Sequence, residues 1–424
     1  MNNIFWKIHI FSNLFFYSIV PILFVNFSSF LSSIDTIKYE NLLAKNFFLR
    51  YIPDQNLFYG NLYTIIASII YTIIAILYSP KSSIREKIII NSRKIYIQYG
   101  NLLYQISIIS LTIGLALAII FGPIDDNLVS QKPKLALYIA YIVRLLDPAI
   151  MSYLILFIFT LKKINYKFYL IIILYGLKFV FLGSRSFIFT LVFTLLMPLG
   201  FVRRNIKLDM SILNFAFIGF ITAFLGNLVR TFNQQGDSLD SFADTLSSVM
   251  GRLFINNSII YIAQSKFEQL NSILLENQPR GIFENIFSFL INRTHINSQY
   301  RVLELIGINE LNLTSRAGGE HLVSYSFGWL GLSFGLASWY GLIIIFIFYL
   351  LIYELQKRLL KNLNLFSLLI YNLLIYIFFE SFWNLGLDSI SNKIAKGIYS
   401  TLFFYVFIIL LKRIIPLKKY SIRK

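Results

Sequence analysis

The sequence predicts an all-α, polytopic membrane protein with about ten transmembrane helices and one large outward loop containing short amphipathic helices. Three observations predict it. Hydrophobic residues make up 57% of the 424-residue chain and charged residues only 14%, with 42 Phe and 27 Tyr, and the mean hydropathy is +0.68. A water-soluble fold has too little interior to bury that much apolar surface. Apolar stretches approaching the roughly 20 residues needed to cross hydrocarbon recur along the chain. Lysine and arginine crowd into alternate connections between these stretches, which gives the net charge of +18 a sidedness.

The spans fall at residues 8–31, 57–78, 102–121, 135–161, 168–182, 186–202, 211–229, 331–353, 365–379 and 395–411. The first follows Lys7 as a signal peptide would, but it is too long and lacks a small-residue cleavage site, so it is expected to remain in the membrane. Pro148 predicts a kink within 135–161, because proline brings no amide donor to its turn. The chain thus divides into 1–229 with helices 1–7, a large outward loop at 230–330, and 331–424 with helices 8–10 and a basic tail.

Sorting charges by side explains the basic excess. Lys7, the 81–94 connection, Lys162, Lys163, Lys167, Arg203, Arg204, Lys207, Lys357, Arg358, Lys361 and the C-terminal tail hold 21 cations against three acids, Glu86, Asp209 and Glu354. That side is expected to be cytoplasmic, with both termini on it. The opposite connections hold 15 cations and 15 acids. Arg144, Lys178, Asp147 and Glu380, within or at the edge of spans, cancel as well. All of the excess is accounted for by topology, so a nucleic-acid partner is not expected.

The cytoplasmic connections are too short to fold a nucleotide-binding domain. The 230–330 segment exceeds ordinary loop lengths and is expected to be functional or separately folded. Within it, Leu239, Phe242, Leu246, Val249, Met250 and Leu253 recur at helical spacing behind Asp237 and Ser238. Residues 281–292 are apolar but too few to span, which suits a helix lying at the outer interface.

This segment carries Arg230, Arg252, Arg280, Arg293, Arg301 and Arg316 but a single lysine, Lys266. Arginine grips phosphate oxygens with a planar fork of donors, whereas lysine acts as a point charge. The arginines therefore suit an anion, or else they pair with the loop's own acids. Gly183-Ser184-Arg185-Ser186 forms a tight turn between two spans, and Lys178 lies two helical turns earlier on nearly the same face. Together Arg185 and Lys178 could cradle a diphosphate; the plainer reading of Arg185 is a snorkelling turn residue.

Arg144 and Asp147, three apart, could pair on one helix face or form a proton relay. Asp237, Asp240 and Asp244 suit the N-terminus of a helix better than a metal. The chain has no Cys, no HExxH and no paired-His spacing, so a metal-independent mechanism without cofactor is expected. Glu320 and His321 adjoin Arg316, and a histidine beside a glutamate in basic surroundings is a candidate general base.

The span number, the Gly183-Ser184-Arg185 turn, the late arginine-rich outward loop and Gly328-x-x-Gly331 before the next span resemble the O-antigen polymerase family, which is similar in architecture to the O-antigen ligases. The resemblance covers most of the chain as topology and only short motifs as sequence. It implies a glycosyltransferase of the bacterial cytoplasmic (inner) membrane with a periplasmic loop. Such an enzyme joins polyprenyl-diphosphate-linked oligosaccharide repeat units into O-antigen, as in lipopolysaccharide, or capsule-type polysaccharide, with undecaprenyl diphosphate as the carrier. Arg185 matches the arginine of the family's short turn. His321 before Gly328 and Gly331 is similar to a ligase histidine, at shorter spacing. The implied roles are Glu320 and His321 as catalytic base and Arg185, Lys178, Arg230, Arg293, Arg301 and Arg316 as diphosphate ligands. The implied partners are the lipid-linked oligosaccharide and the bilayer, with room for a chain-length-regulating membrane protein. The rival readings are a lipid-linked glycan flippase or transporter, another lipid-phosphate-sugar glycosyltransferase, and an O-antigen ligase.

Overall fold

The computed structural model describes residues 82–121, 133–160, 165–181, 267–276, 328–383 and 387–414, with isolated positions between 59 and 74 and at 198 and 202. Every regular element among the described residues is helical. In chain order they are α1 (Ser82–Phe121), α2 (Lys134–Leu146), α3 (Pro148–Phe159), α4 (Tyr166–Phe181), α5 (Gly328–Ala337), a 3-10 turn (Ser338–Tyr340), α6 (Gly341–Lys361), α7 (Leu365–Trp383) and α8 (Leu387–Ile414). Four stretches, Ile84–Phe121, Lys134–Phe159, Ser333–Lys361 and Ile394–Arg413, are long and apolar enough to cross a membrane, and Leu365–Tyr376 is a shorter apolar helix. They overlap five of the ten expected spans, and α4 overlaps the one at 168–182. The spans at 8–31 and 211–229, and most of those at 57–78 and 186–202, lie outside the described residues. So does the 230–330 segment apart from 267–276 and 328–330, and with it both of its amphipathic stretches.

The first difference from the expected layout is in α1. Residues 82–101, expected as a connection, are helical and continuous with the span at 102–121. Their apolar residues explain it: Ile88, Ser92, Ile95, Leu103, Ile106, Ser110, Leu117 and Ala118 are buried and recur at helical spacing. Glu86, Lys87, Arg93 and Lys94 stay exposed. Ser92 and Ser107 can sit on the buried stripe because each hydroxyl donates to the carbonyl four residues back, both at 2.6 Å. At 40 residues the helix is about 60 Å long, roughly twice the hydrocarbon thickness.

α3 is apolar on all sides and lies at the centre, packed against α1, α4, α7 and α8. Tyr153 and Phe157 meet Tyr96, Tyr104 and Phe168 as an aromatic cluster with centroid separations of 4.8–6.4 Å. On its far side Phe159 meets Tyr371 at 5.7 Å. Asparagines start the two helices beside it: Asn165 accepts from the Phe168 amide at 3.1 Å and Asn364 from the Ser367 amide at 2.8 Å, supplying acceptors to otherwise orphaned N–H groups. Basic residues from separate connections converge on one level of α1. Lys167 lies 4.9 Å over the Tyr104 ring, and Lys412 donates to the Tyr99 hydroxyl at 3.1 Å.

The second difference is at 331–353, where a single span was expected. The helix stops at Ala337 and restarts at Gly341. Ser338 at the break has φ 51°, a left-handed conformation uncommon outside glycine. The chain then folds back so tightly that a Cβ on Gly341 would collide with the Ser333 carbonyl oxygen. Gly341 itself has φ −56°, so glycine serves here for room and not for backbone freedom. Around the break, Tyr63 hydrogen-bonds Ser333 at 2.9 Å and packs edge-on against Phe334 and Trp339. The Asn271 amide donates to the exposed-end carbonyls of α5, Gly335 at 3.1 Å and Leu336 at 2.7 Å. Helical residues 267–276 are thereby docked on the bundle, with Leu270 and Leu274 against Gly335.

Replacing Gly341 by alanine is expected to destabilise the protein by about 1–3 kcal/mol, because the obstruction is backbone. Gly397→Ala should cost less, since the atom met there is the end of the Leu373 side chain. Thermal unfolding of the two purified variants in one detergent checks the order.

Candidate functional site

The site begins with the missing amide of Pro148. In an uninterrupted helix that amide would donate to the Arg144 carbonyl. Instead the Asp147 N–H turns to Arg144 O at 3.3 Å, and the Ile150 N–H takes Asp147 O at 3.0 Å, so the chain tightens and restarts as α3. The shift deprives the Val143 carbonyl of its usual donor. Ser110 of α1 supplies one, with its Oγ 3.4 Å from Val143 O and the same distance from Asp147 Oδ1. One hydroxyl proton serves two acceptors, so each contact is weak.

Asp147, at the break, is paired with Lys178 of α4, Nζ to Oδ1 at 3.3 Å. Lys178 is only 8% exposed. Its stem passes Gly114 of α1, where a Cβ would stand 3.1 Å from the lysine Cε. Ser110 and Gly114, four residues apart, thus form a notch of small residues through which the lysine reaches the carboxylate. Tyr175, one turn before Lys178, is also buried and packs edge-on against Phe179 at 4.9 Å.

Depth matters to what this pair can do. Lys167 marks the basic level, and the eleven residues from it to Lys178 span about 16 Å of helix against a hydrocarbon core of roughly 30 Å. An ion pair buried that far along the helix from the basic level stabilises a fold less than well-packed apolar residues of the same volume. Ionisable groups held there are by default functional candidates.

Asp147 takes Lys178 as its partner in place of Arg144. Arg144 is exposed, and the carboxylate's ion pair is with α4. The helical turn from Arg144 to Asp147 is kept, but the carboxylate is engaged by Lys178 across the helix boundary. Of the expected site residues, Lys178 is described; Glu320, His321, Arg185, Arg230, Arg293, Arg301 and Arg316 lie outside the described residues. Sequence reasoning missed Asp147 as the partner of Lys178, together with Ser110, Gly114 and Tyr175. The Ser110-x-x-x-Gly114 spacing was the available signal of a close helix approach.

No protein-family model, curated protein or solved structure matches the chain.

A double-mutant cycle tests the pair. Lys178→Met and Asp147→Asn are expected to be coupled by about 1–3 kcal/mol in unfolding free energy, each alone costing more than its share of the double variant. Arg144→Gln should stay within about 0.5 kcal/mol of wild type. Urea or thermal unfolding in detergent reads all four proteins.

Proposed function

We propose that the chain is a metal-independent glycosyltransferase of the bacterial cytoplasmic membrane. It joins polyprenyl-diphosphate-linked oligosaccharide repeat units into O-antigen or capsule-type polysaccharide on the outer face. The observation that carries this reading is Lys178, a cation held inside an apolar bundle and seven residues before Arg185 in the sequence. A lipid diphosphate at the outer membrane surface is the ligand that such a ladder of cations suits.

The chemistry follows from the activated donor. The acceptor sugar hydroxyl attacks the anomeric carbon of the donor chain, forming the new glycosidic bond as the bond to the diphosphate oxygen breaks. The electron pair leaves with the lipid diphosphate, and Arg185, Lys178 and arginines among Arg230, Arg293, Arg301 and Arg316 stabilise the developing charge. The hydroxyl proton passes to Glu320 or His321 as general base. Because the donor carries its own leaving group, no nucleotide is needed on that face.

A lipid-linked glycan flippase is the second reading, favoured by one observation: the Lys178–Asp147 pair sits at a broken helix, and broken helices are where transport proteins place their ion sites. One variant separates the two. Under the polymerase reading, Arg185→Ala abolishes polymer while single-repeat glycolipid still reaches the outer face and protein level is unchanged. Single-repeat glycolipid retained on the inner face would favour the flippase, and full-length polymer would remove Arg185 from the mechanism. In purified protein supplied with lipid-linked repeats, Glu320→Gln or His321→Ala is expected to lose turnover at least about a hundredfold while keeping donor binding. Unchanged rates for both would dismiss the proposed base.

A further inference from the structure

We propose that the Lys178 ammonium is an exchangeable anion site. In the bundle described above Asp147 occupies it, and the phosphate oxyanion of a membrane lipid takes the carboxylate's place. The inference rests on the reading of Lys178 as a diphosphate ligand and adds to it a competitor built into the protein.

The two partners are held unequally. Lys178 is fixed: its side chain is 11% exposed, and its stem is confined by the Gly114 notch. The Asp147 side chain is 38% exposed, so the carboxylate reaches the surface of the bundle and the ammonium does not. Little else retains it. Asp147 stands at the start of α3, where an aspartate ordinarily accepts a backbone amide, yet it makes no capping hydrogen bond there. Among the described residues its remaining hydrogen bond is from the shared Ser110 hydroxyl at 3.4 Å.

The pair is also loose as charge-assisted contacts go. A single contact of 3.3 Å exceeds the roughly 2.7–2.9 Å of a strong ammonium–carboxylate hydrogen bond. An ammonium has three donors, and among the described residues Lys178 directs a hydrogen bond only to Asp147. A phosphate offers more acceptor oxygens, and a diphosphate more negative charge, than one carboxylate, so it can use the donors that Asp147 leaves idle. The internal carboxylate keeps the lysine paired within the apolar bundle while no ligand is bound, and when an anion of higher charge arrives it turns to the bundle surface, where its side chain is already 38% exposed. Asp147 is on this account a positioning residue, and it weakens lipid binding while stabilising the empty site.

The test uses the purified full-length chain in nanodiscs and follows binding of a fluorescent polyprenyl diphosphate. Lys178→Met is expected to weaken binding at least about tenfold. Asp147→Asn, which keeps the shape and removes the competing charge, is expected to tighten binding several-fold. The charge-swapped protein, Lys178→Asp with Asp147→Lys, should keep its thermal midpoint and elution profile yet lose binding; if it fails to fold, the Asp147→Asn measurement still decides. Weakened binding in Asp147→Asn would overturn the exchange, because the carboxylate would then be part of the binding architecture. Wild-type binding by Lys178→Met would overturn it as well. Unlabelled phosphatidylglycerol and unlabelled polyprenyl diphosphate are the two competitor arms. Displacement by the former supports exchange with bulk lipid phosphate, and displacement by the latter alone supports exchange with the proposed donor. A chain that shows this binding pattern and joins no repeat units keeps the anion site and loses the polymerase reading, so the two failures are distinguishable.

Discussion

A charged lysine buried in an apolar bundle has to be partnered, and much of the described bundle is arranged by that requirement. The partner is Asp147, at the break that Pro148 makes between α2 and α3. To bring the two together α4 must lie against the junction of α2 and α3. For the lysine stem to reach across, α1 must present a glycine at 114. The carbonyl that the proline strands is served by Ser110, from the same notch. A backbone defect and a buried charge are thus resolved by one set of contacts among four helices, where each alone would cost several kcal/mol in lipid.

The remainder of the packing accommodates this polar centre. α3, apolar on every face, fills the middle of the bundle from the break towards the basic level, and its aromatic residues knit it to α1, α4 and α7. Two basic residues, Lys167 and Lys412, lie at the other end against Tyr104 and Tyr99 of α1. Among the described residues Lys178 is the buried cation, and it stands away from that level. Positive charge that merely anchors a helix belongs at the interface with the others, which is why Lys178 calls for an explanation in terms of a ligand.

Particular residues show what was legible in the sequence and what was not. The helical class and the kink at Pro148 could be read directly, because hydropathy and a missing amide are local properties. The continuation of α1 back to Ser82 was hidden by reading charge density instead of spacing; the buried positions Ile88, Ile95 and Leu103 carry the helical period through the charged stretch. The break at Ser338 has no proline to announce it, and the strand of apolar residues around it reads as one span. The partner of Asp147 was assigned to Arg144 because sequence offers only neighbours along the same helix. Which helix lies alongside, and in what register, is decided by packing. Of the residues assigned to the site, Arg185, the loop arginines, Glu320 and His321 fall outside the described residues, so Lys178 is where sequence and structure meet.

The docking of residues 267–276 onto α5 has a consequence for everything between them. Leu270 and Leu274 touch Gly335, and Asn271 holds its carbonyl, so the helices that precede and follow residues 277–327 are fixed to each other. Arg293, Arg301, Arg316, Glu320 and His321 all fall in that interval of the sequence. Joining the two ends of an interval costs closure entropy once, when the chain folds, rather than each time a substrate arrives.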